Sequence, residues 1–236
     1  MLKVRAKPDA SPVTAADEEA EALIVRRLNE VAPGVPVVAE EAVASGKKPE
    51  IGACFFLVDP LDGTKEFLKR NGEFTVNIAL IEAQRPACGV VLAPASARLF
   101  IGDGAHGAFE LDAPSGVKLD LGNIRAIKAR PPPEDGLVAV ISRTHRDVKT
   151  DEYLARYPVT ELLAAGSSLK FGLVATGEAD LYPRHGPTME WDTAAGQAVV
   201  EAAGGSVTEL DGKPLLYGKE DQGFRNPPFL ARGRAS

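Results

Sequence analysis

The 236-residue chain has only two cysteines, Cys54 and Cys88, both inside apolar runs. That is too few for a disulfide framework, so a reducing cytoplasm is the expected location. No apolar stretch approaches the ~18 residues that a membrane-spanning helix needs. Met1 to Arg5 lacks the apolar region of a secretory signal. There is no long basic run, and the formal net charge is −6. A nucleic-acid polymer is therefore not an expected partner, although an acidic chain can still hold a small anion where metal ions invert the local field. Internal repeats and low-complexity segments are also absent. What is present is globular in texture, 44% hydrophobic and 25% charged. That is enough for a real core in one large domain or two small ones.

Periodicity divides the chain into elements. Thr14 to Val31 carries Ala16, Ala20, Leu23, Ile24, Leu28 and Val31 at helical spacing, and Pro33-Gly34 ends the helix. Val35 to Ala39 reads as a short strand ending in Glu40-Glu41, and Ala44 to Glu50 as a polar loop. The continuous apolar run Ala53 to Val58 is a buried strand. Phe74–Ile81 and Cys88–Ala93 are neighbouring strands, and Leu99–Ile101 and Ala108–Leu111 continue the meander. Pro131-Pro132-Pro133 followed by Asp135-Gly136 is the expected linker. It separates an α+β half, residues 1–130, from an α/β half, residues 131–236. In the second half Leu137–Ile141, Val159–Leu163, Ala179–Tyr182 and Ser206–Leu210 read as strands. Lys149–Tyr157, Ser167–Ala175 and Thr193–Ala203 read as helices.

The densest chemistry lies in Val58-Asp59-Pro60-Leu61-Asp62-Gly63-Thr64. Two carboxylates three apart on a Pro-stiffened turn can aim at one hard cation, and the Leu61 carbonyl can join them. Asp, Pro and Gly are also ordinary turn residues. Gly63 and Thr64 are positioned to open a short helix through Leu68, whose first N–H groups have no internal partner and suit a phosphate; a plain Thr cap is the alternative. At most one of Glu40 and Glu41 can face a shared site if the segment is extended. Asp17 matches a capping box with Thr14, and Asp192 is an acid at a helix start; both placements are favourable without any function. His145, Lys170 and Arg184 stand near predicted strand ends, where α/β sheets bind ligands. Singly each suits a surface cation; together they suit a second phosphate.

These motifs resemble the inositol monophosphatase superfamily, and within it the 3′(2′),5′-bisphosphate nucleotidases of the CysQ type. The resemblance is carried by Ser11 to Asp17, Glu40-Glu41, Asp59 to Asn77, Ser142 to His145, Gly166 to Lys170, Tyr182-Pro183-Arg184 and Trp191 to Gly196. It covers Ser11 to about Pro227. It implies a layered α-β-α-β-α sugar-phosphatase fold, of mixed α+β and α/β character. Two or three Mg²⁺ ions would be held by Glu40, Asp59, the Leu61 carbonyl, Asp62 and Asp192. Asp17 and Thr64 then correspond to the pair that orients and deprotonates the attacking water. Gly63, Thr64, Ser167, Lys170, Arg184, His145 and Asp192 correspond to substrate-holding positions.

The activity implied is hydrolysis of the 3′-phosphate of 3′-phosphoadenosine 5′-phosphate to AMP, in sulfur assimilation, with inhibition by Li⁺. An inositol or fructose-1,6-bisphosphate phosphatase on the same scaffold is the rival, and a non-catalytic nucleotide-binding protein is the rival of another class. The expected partner is a small-molecule nucleotide, with a homodimer left open. Family members carry another helix before the Ser-Pro-Val-Thr motif, where this sequence has about ten residues, so that helix is expected to be missing.

Overall fold

The computed structural model describes residues 4–6, 12–144 and 147–235. Two short strands, β1 (Val4–Ala6) and β2 (Pro12–Thr14), pair antiparallel and lead into α1 (Ala15–Val31). Then follow β3 (Val37–Ala39), α2 (Glu40–Ala44), β4 (Cys54–Asp62), α3 (Thr64–Lys69) and β5 (Thr75–Glu82). A meander of β6 (Arg85–Ala93), β7 (Arg98–Asp103), β8 (Gly107–Asp112) and β9 (Arg125–Ile127) completes a seven-stranded sheet in the order β3-β4-β5-β6-β7-β8-β9. Only the β3–β4 pair is parallel.

The triple proline connects β9 to the elements of a second sheet. These are β10 (Leu137–Ser142), α4 (Val148–Leu154), β11 (Val159–Ala165), α5 (Leu169–Ala175), β12 (Leu181–Arg184), α6 (Glu190–Ala202), β13 (Ser206–Glu209) and β14 (Phe229–Arg232). The order is β11-β10-β12-β14-β13, parallel around β10 and antiparallel around β14.

Helix α6 shows why the layers stack as they do. Between Glu190 and Val200 every residue except Asp192 is buried. A helix buried on all sides has to lie between two apolar surfaces. α6 packs on β4 to β8 on one side and reaches β13 and β14 on the other, with α5 beside it. Gly102 permits the close approach, because a Cβ there would stand 2.5 Å from the α6 backbone at Val199. α1 packs against β3 and β4 and α4 against β12, giving the α-β-α-β-α order. One core cluster runs through the middle of this stack, from Phe55, Leu57 and Ile81 through Phe171, Val199 and Val200 to Phe229.

Several expectations are corrected. The acidic turn is not a loop after a strand: β4 continues through Asp62. Asp59 pairs with Asn77 and Asp62 with Thr75, so β4 holds one residue more than β5 over that span. This is a bulge, and it falls at Pro60, which has no N–H to give to a ladder. Glu40-Glu41 is not extended; it is the first turn of α2, and Glu21 on α1 accepts the Glu41 N–H at 2.7 Å. Ser167 lies before α5 rather than in it, at φ +51°. Strands β9 and β14 were not anticipated at all.

Candidate active site

A cleft of about 350 Å³ opens where the β4 bulge, the start of α3, the Ser167 turn, the end of β12 and the start of α6 converge. Asp59, at 1% exposure, accepts the Leu61 N–H at 2.9 Å, an Asx turn that shapes the bulge. One of its neighbours is Glu40, with which it shares a hydrogen bond. Asp62 Oδ2 is held by the N–H of Ser168 at 2.7 Å and the Ser168 hydroxyl at 2.8 Å. Asp192 closes the first turn of α6 by accepting the Met189 N–H at 2.8 Å. The sequence therefore places Glu40, Asp59, Leu61, Asp62 and Asp192 up to 152 residues apart, and the fold lines one cleft with all of them.

Next to these acids stands the Asp17–Thr64 pair. Asp17 is 1% exposed and makes hydrogen bonds in two directions. Its Oδ2 accepts from the Thr14 N–H and hydroxyl, while its Oδ1 accepts the Thr64 hydroxyl at 3.2 Å. Gly63 sits at φ +91°, and a Cβ on it would stand 2.1 Å from the Ser167 hydroxyl. That hydroxyl reaches the carbonyls of Asp62 and Glu73, both at 2.8 Å. Only glycine satisfies both the backbone angle and the space.

The cations come from the second half of the chain, Lys170 from α5 and Arg184 from the end of β12. Lys170 is 3% exposed, its ammonium donates to the Ser167 carbonyl at 2.5 Å, and it lies 5.1 Å from the centroid of the Tyr182 ring. Burial brings its pKa down to about 8, against the opposing pull of Asp62. Arg184 is 9% exposed; one terminal nitrogen donates to the Pro187 carbonyl at 3.4 Å, but its buried Nε has no hydrogen-bond partner. His145 lies outside the described residues.

The donor set fits Mg²⁺. Every candidate ligand offers oxygen, and no His or Cys lines the cleft among the described residues. Hard cations take such a set, whereas Zn²⁺ favours nitrogen and sulfur. Burial pushes the Asp59 and Asp192 carboxyls well up, and the charges of Glu40 and Asp62 push both further. A divalent cation relieves that repulsion. Among the described residues no three His, Cys, Asp or Glu side chains form a single ready cage. Mg²⁺ does not require one, since it is usually bound by one or two carboxylates and keeps several waters.

Residues that sequence reasoning did not single out complete the site. Ser168 joins Asp62 to the start of α6. Thr75 and Asn77 stand within 3.4 and 3.5 Å of Asp62 Oδ2. Glu66, 4% exposed, accepts the Thr144 hydroxyl at 2.9 Å. A signal for Thr75 and Asn77 was present: they share the buried face of β5 with Ala79 and Ile81. Polar side chains on an otherwise apolar face have something to bind.

Oxygen donors and buried cations around one cleft suit a multiply charged anion and its metal ions. A model described as the inositol monophosphatase family matches residues 2–234. The chain is 47% identical over 229 residues to the 3′(2′),5′-bisphosphate nucleotidase CysQ of Escherichia coli (strain K12), covering 97% of this chain and 88% of that protein. It is 46% identical over 228 residues to the protein of the same name from Shigella flexneri, with the same coverages. The crystal structure of CysQ from Bacteroides thetaiotaomicron matches with a TM-score of 0.82 at 39% identity, over 97% of this chain and 87% of that one. The chain belongs to the inositol monophosphatase family.

Proposed function

We propose that this chain is a Mg²⁺-dependent 3′(2′),5′-bisphosphate nucleotidase that converts 3′-phosphoadenosine 5′-phosphate to AMP and phosphate. The relatives that carry this name support the reading. The observation that carries it in this chain is the buried Lys170–Arg184 pair, with its orphaned Arg184 Nε, lining the same cleft as the carboxylates of Glu40, Asp59, Asp62 and Asp192. A simple sugar monophosphate has one phosphate to give, and the metal side of the cleft takes it. A buried donor without a partner costs about 1–3 kcal/mol. A second phosphate satisfies it and matches both cations.

In this reading Glu40, Asp59, the Leu61 carbonyl, Asp62 and Asp192 hold two or three Mg²⁺. Bound Mg²⁺ supplies charge neutralisation at the phosphate and acidifies water. The chain's own residues do the rest. The Thr64 hydroxyl, held by Asp17, orients the attacking water, and Asp17 receives its proton. The N–H groups of Gly63 and Thr64, which no side chain caps, take the phosphate that leaves. Ser167, Lys170, Arg184 and His145 hold the rest of the nucleotide.

No helix among the described residues is long and apolar enough to cross a membrane. We assign the enzyme to the cytoplasm, where its two free cysteines remain reduced. The test is phosphate release from 3′-phosphoadenosine 5′-phosphate with and without Mg²⁺, with inositol 1-phosphate in parallel. Mg²⁺-dependent release that prefers the nucleotide supports the reading. Preference for inositol 1-phosphate refutes the role given to Lys170 and Arg184.

A further inference from the structure

Ser168 is 2% exposed and precedes α5, where a serine hydroxyl normally caps the helix. Here it caps nothing. The hydroxyl instead lies 2.8 Å from Asp62 Oδ2 and 2.7 Å from the Asp192 main-chain oxygen. Its single proton lies between these two acceptors, and the Asn77 amide donates to the same oxygen at 2.9 Å. The Ser168 N–H adds a further bond to Asp62 Oδ2, at 2.7 Å. Asp62 Oδ2 is thus saturated from behind by Ser168, Thr75 and Asn77, and no described hydrogen bond engages Oδ1. The same hydroxyl ties the first turn of α6, which carries Asp192, to the end of β4, which carries Asp62. These two acids are 130 residues apart in sequence and belong to different layers.

We propose that Ser168 is a positioning residue whose hydroxyl fixes the orientation of Asp62 and its spacing from Asp192, and thereby sets the affinity of the cleft for Mg²⁺. The proposal rests on the reading of Asp62 and Asp192 as metal ligands. Groups behind a ligand that orient it change metal affinity 10–100-fold when removed. A capping or packing serine contributes to stability alone. The hydroxyl's three partners all belong to the ligand network, and none belongs to α5.

The test is Mg²⁺ binding by titration calorimetry, beside the Mg²⁺ dependence of phosphate release, in Ser168→Ala, Ser168→Thr and a Thr176→Ala control. Thr176 spends its hydroxyl on carbonyls at the far end of α5 and on Glu178. In Ser168→Ala the Mg²⁺ dissociation constant and the half-saturating Mg²⁺ rise together, about tenfold. Ser168→Thr recovers most of the change, and Thr176→Ala shows none of it. An unchanged Mg²⁺ constant in a folded Ser168→Ala overturns the proposal, whatever substrate the enzyme takes. If Ser168→Ala fails to fold, Asn77→Ala removes the amide that pins the same hydroxyl, and an unchanged constant there overturns it equally. A wild-type protein that binds no Mg²⁺ overturns both this proposal and the ligand assignment beneath it. Mg²⁺ binding weakened in Ser168→Ala, in a protein that does not hydrolyse the nucleotide, upholds the proposal and refutes only the substrate.

Discussion

Replacing Lys170 by methionine separates stability from binding in a way that can be calculated. The ammonium is buried, and its pKa falls from 10.5 to about 8. Desolvation is the largest cause; Arg184 pushes the same way, while Asp62, Glu66 and Glu73 oppose it. The direction of linkage follows. Between pH 8 and 10.5 the unfolded chain holds a proton at this position that the folded chain has lost, so stability rises with pH across that window. Integrated from pH 7 to pH 10, the gain is about 2 to 3 kcal/mol in the wild type. Lys170→Met has no such group, and every other titration is common to both proteins. The stability of wild type minus that of Lys170→Met is therefore expected to increase by about 2 to 3 kcal/mol over that interval. Urea unfolding at pH 7 and pH 10 measures it, if the change in slope between the two proteins is small. The binding side has the opposite sign. The protonated fraction falls roughly tenfold between pH 7 and pH 9, so the KM for the bisphosphate rises above pH 8 in the wild type and not in Lys170→Met. A stability difference that does not change with pH refutes the buried-ammonium argument. An inflection that survives in Lys170→Met refutes the assignment of this lysine to the nucleotide.

Gly63→Ala is expected to destabilise the fold by about 2 kcal/mol or more, from the positive φ and the clash with the Ser167 hydroxyl; a thermal midpoint equal to wild type contradicts the geometry. Thr64→Ala removes the hydroxyl held by Asp17 and is expected to lower kcat by about 10²-fold or more while leaving the nucleotide KM within a few-fold; a loss confined to KM rules out its role toward water. Asp62→Asn keeps the hydrogen-bonded oxygen but removes a charge. It is expected to abolish Mg²⁺-dependent phosphate release with an unchanged circular dichroism spectrum, and substantial residual activity removes Asp62 from the metal set.

Much of this was legible because local and long-range preferences agree. The runs that became β4, β5 and β6 are apolar enough to be strands anywhere, and α1 has its spacing, its cap and its stop. The Asp59–Thr64 motif alone also suits an ordinary turn; the apolar run before it and the Gly-Thr after it made it a candidate site. Elements that depend on distant partners were not legible. α2 is five residues long, below the length at which a helix holds itself, and Glu21 from α1 supplies a partner for its Glu41 N–H. β14 is four residues after two prolines and owes its conformation to β12 and β13 on either side. Ser168 fell inside the helix expected over Ser167–Ala175, and only the fold reveals that its hydroxyl is turned toward Asp62 and Asp192. Asp17, as a capping-box partner, and Asp192, as an acid at a helix start, were each explained without a site; Asp192 also lines the cleft, and Asp17 also holds the Thr64 hydroxyl beside it.

The most direct test of the account is the identity of the product formed from 3′-phosphoadenosine 5′-phosphate, resolved by chromatography in Mg²⁺ and again in excess chelator. The account predicts AMP and one equivalent of phosphate in Mg²⁺, and no reaction in chelator. Adenosine 3′-phosphate as the product would place the metals at the wrong phosphate. Equal turnover in chelator would remove them from the reaction altogether.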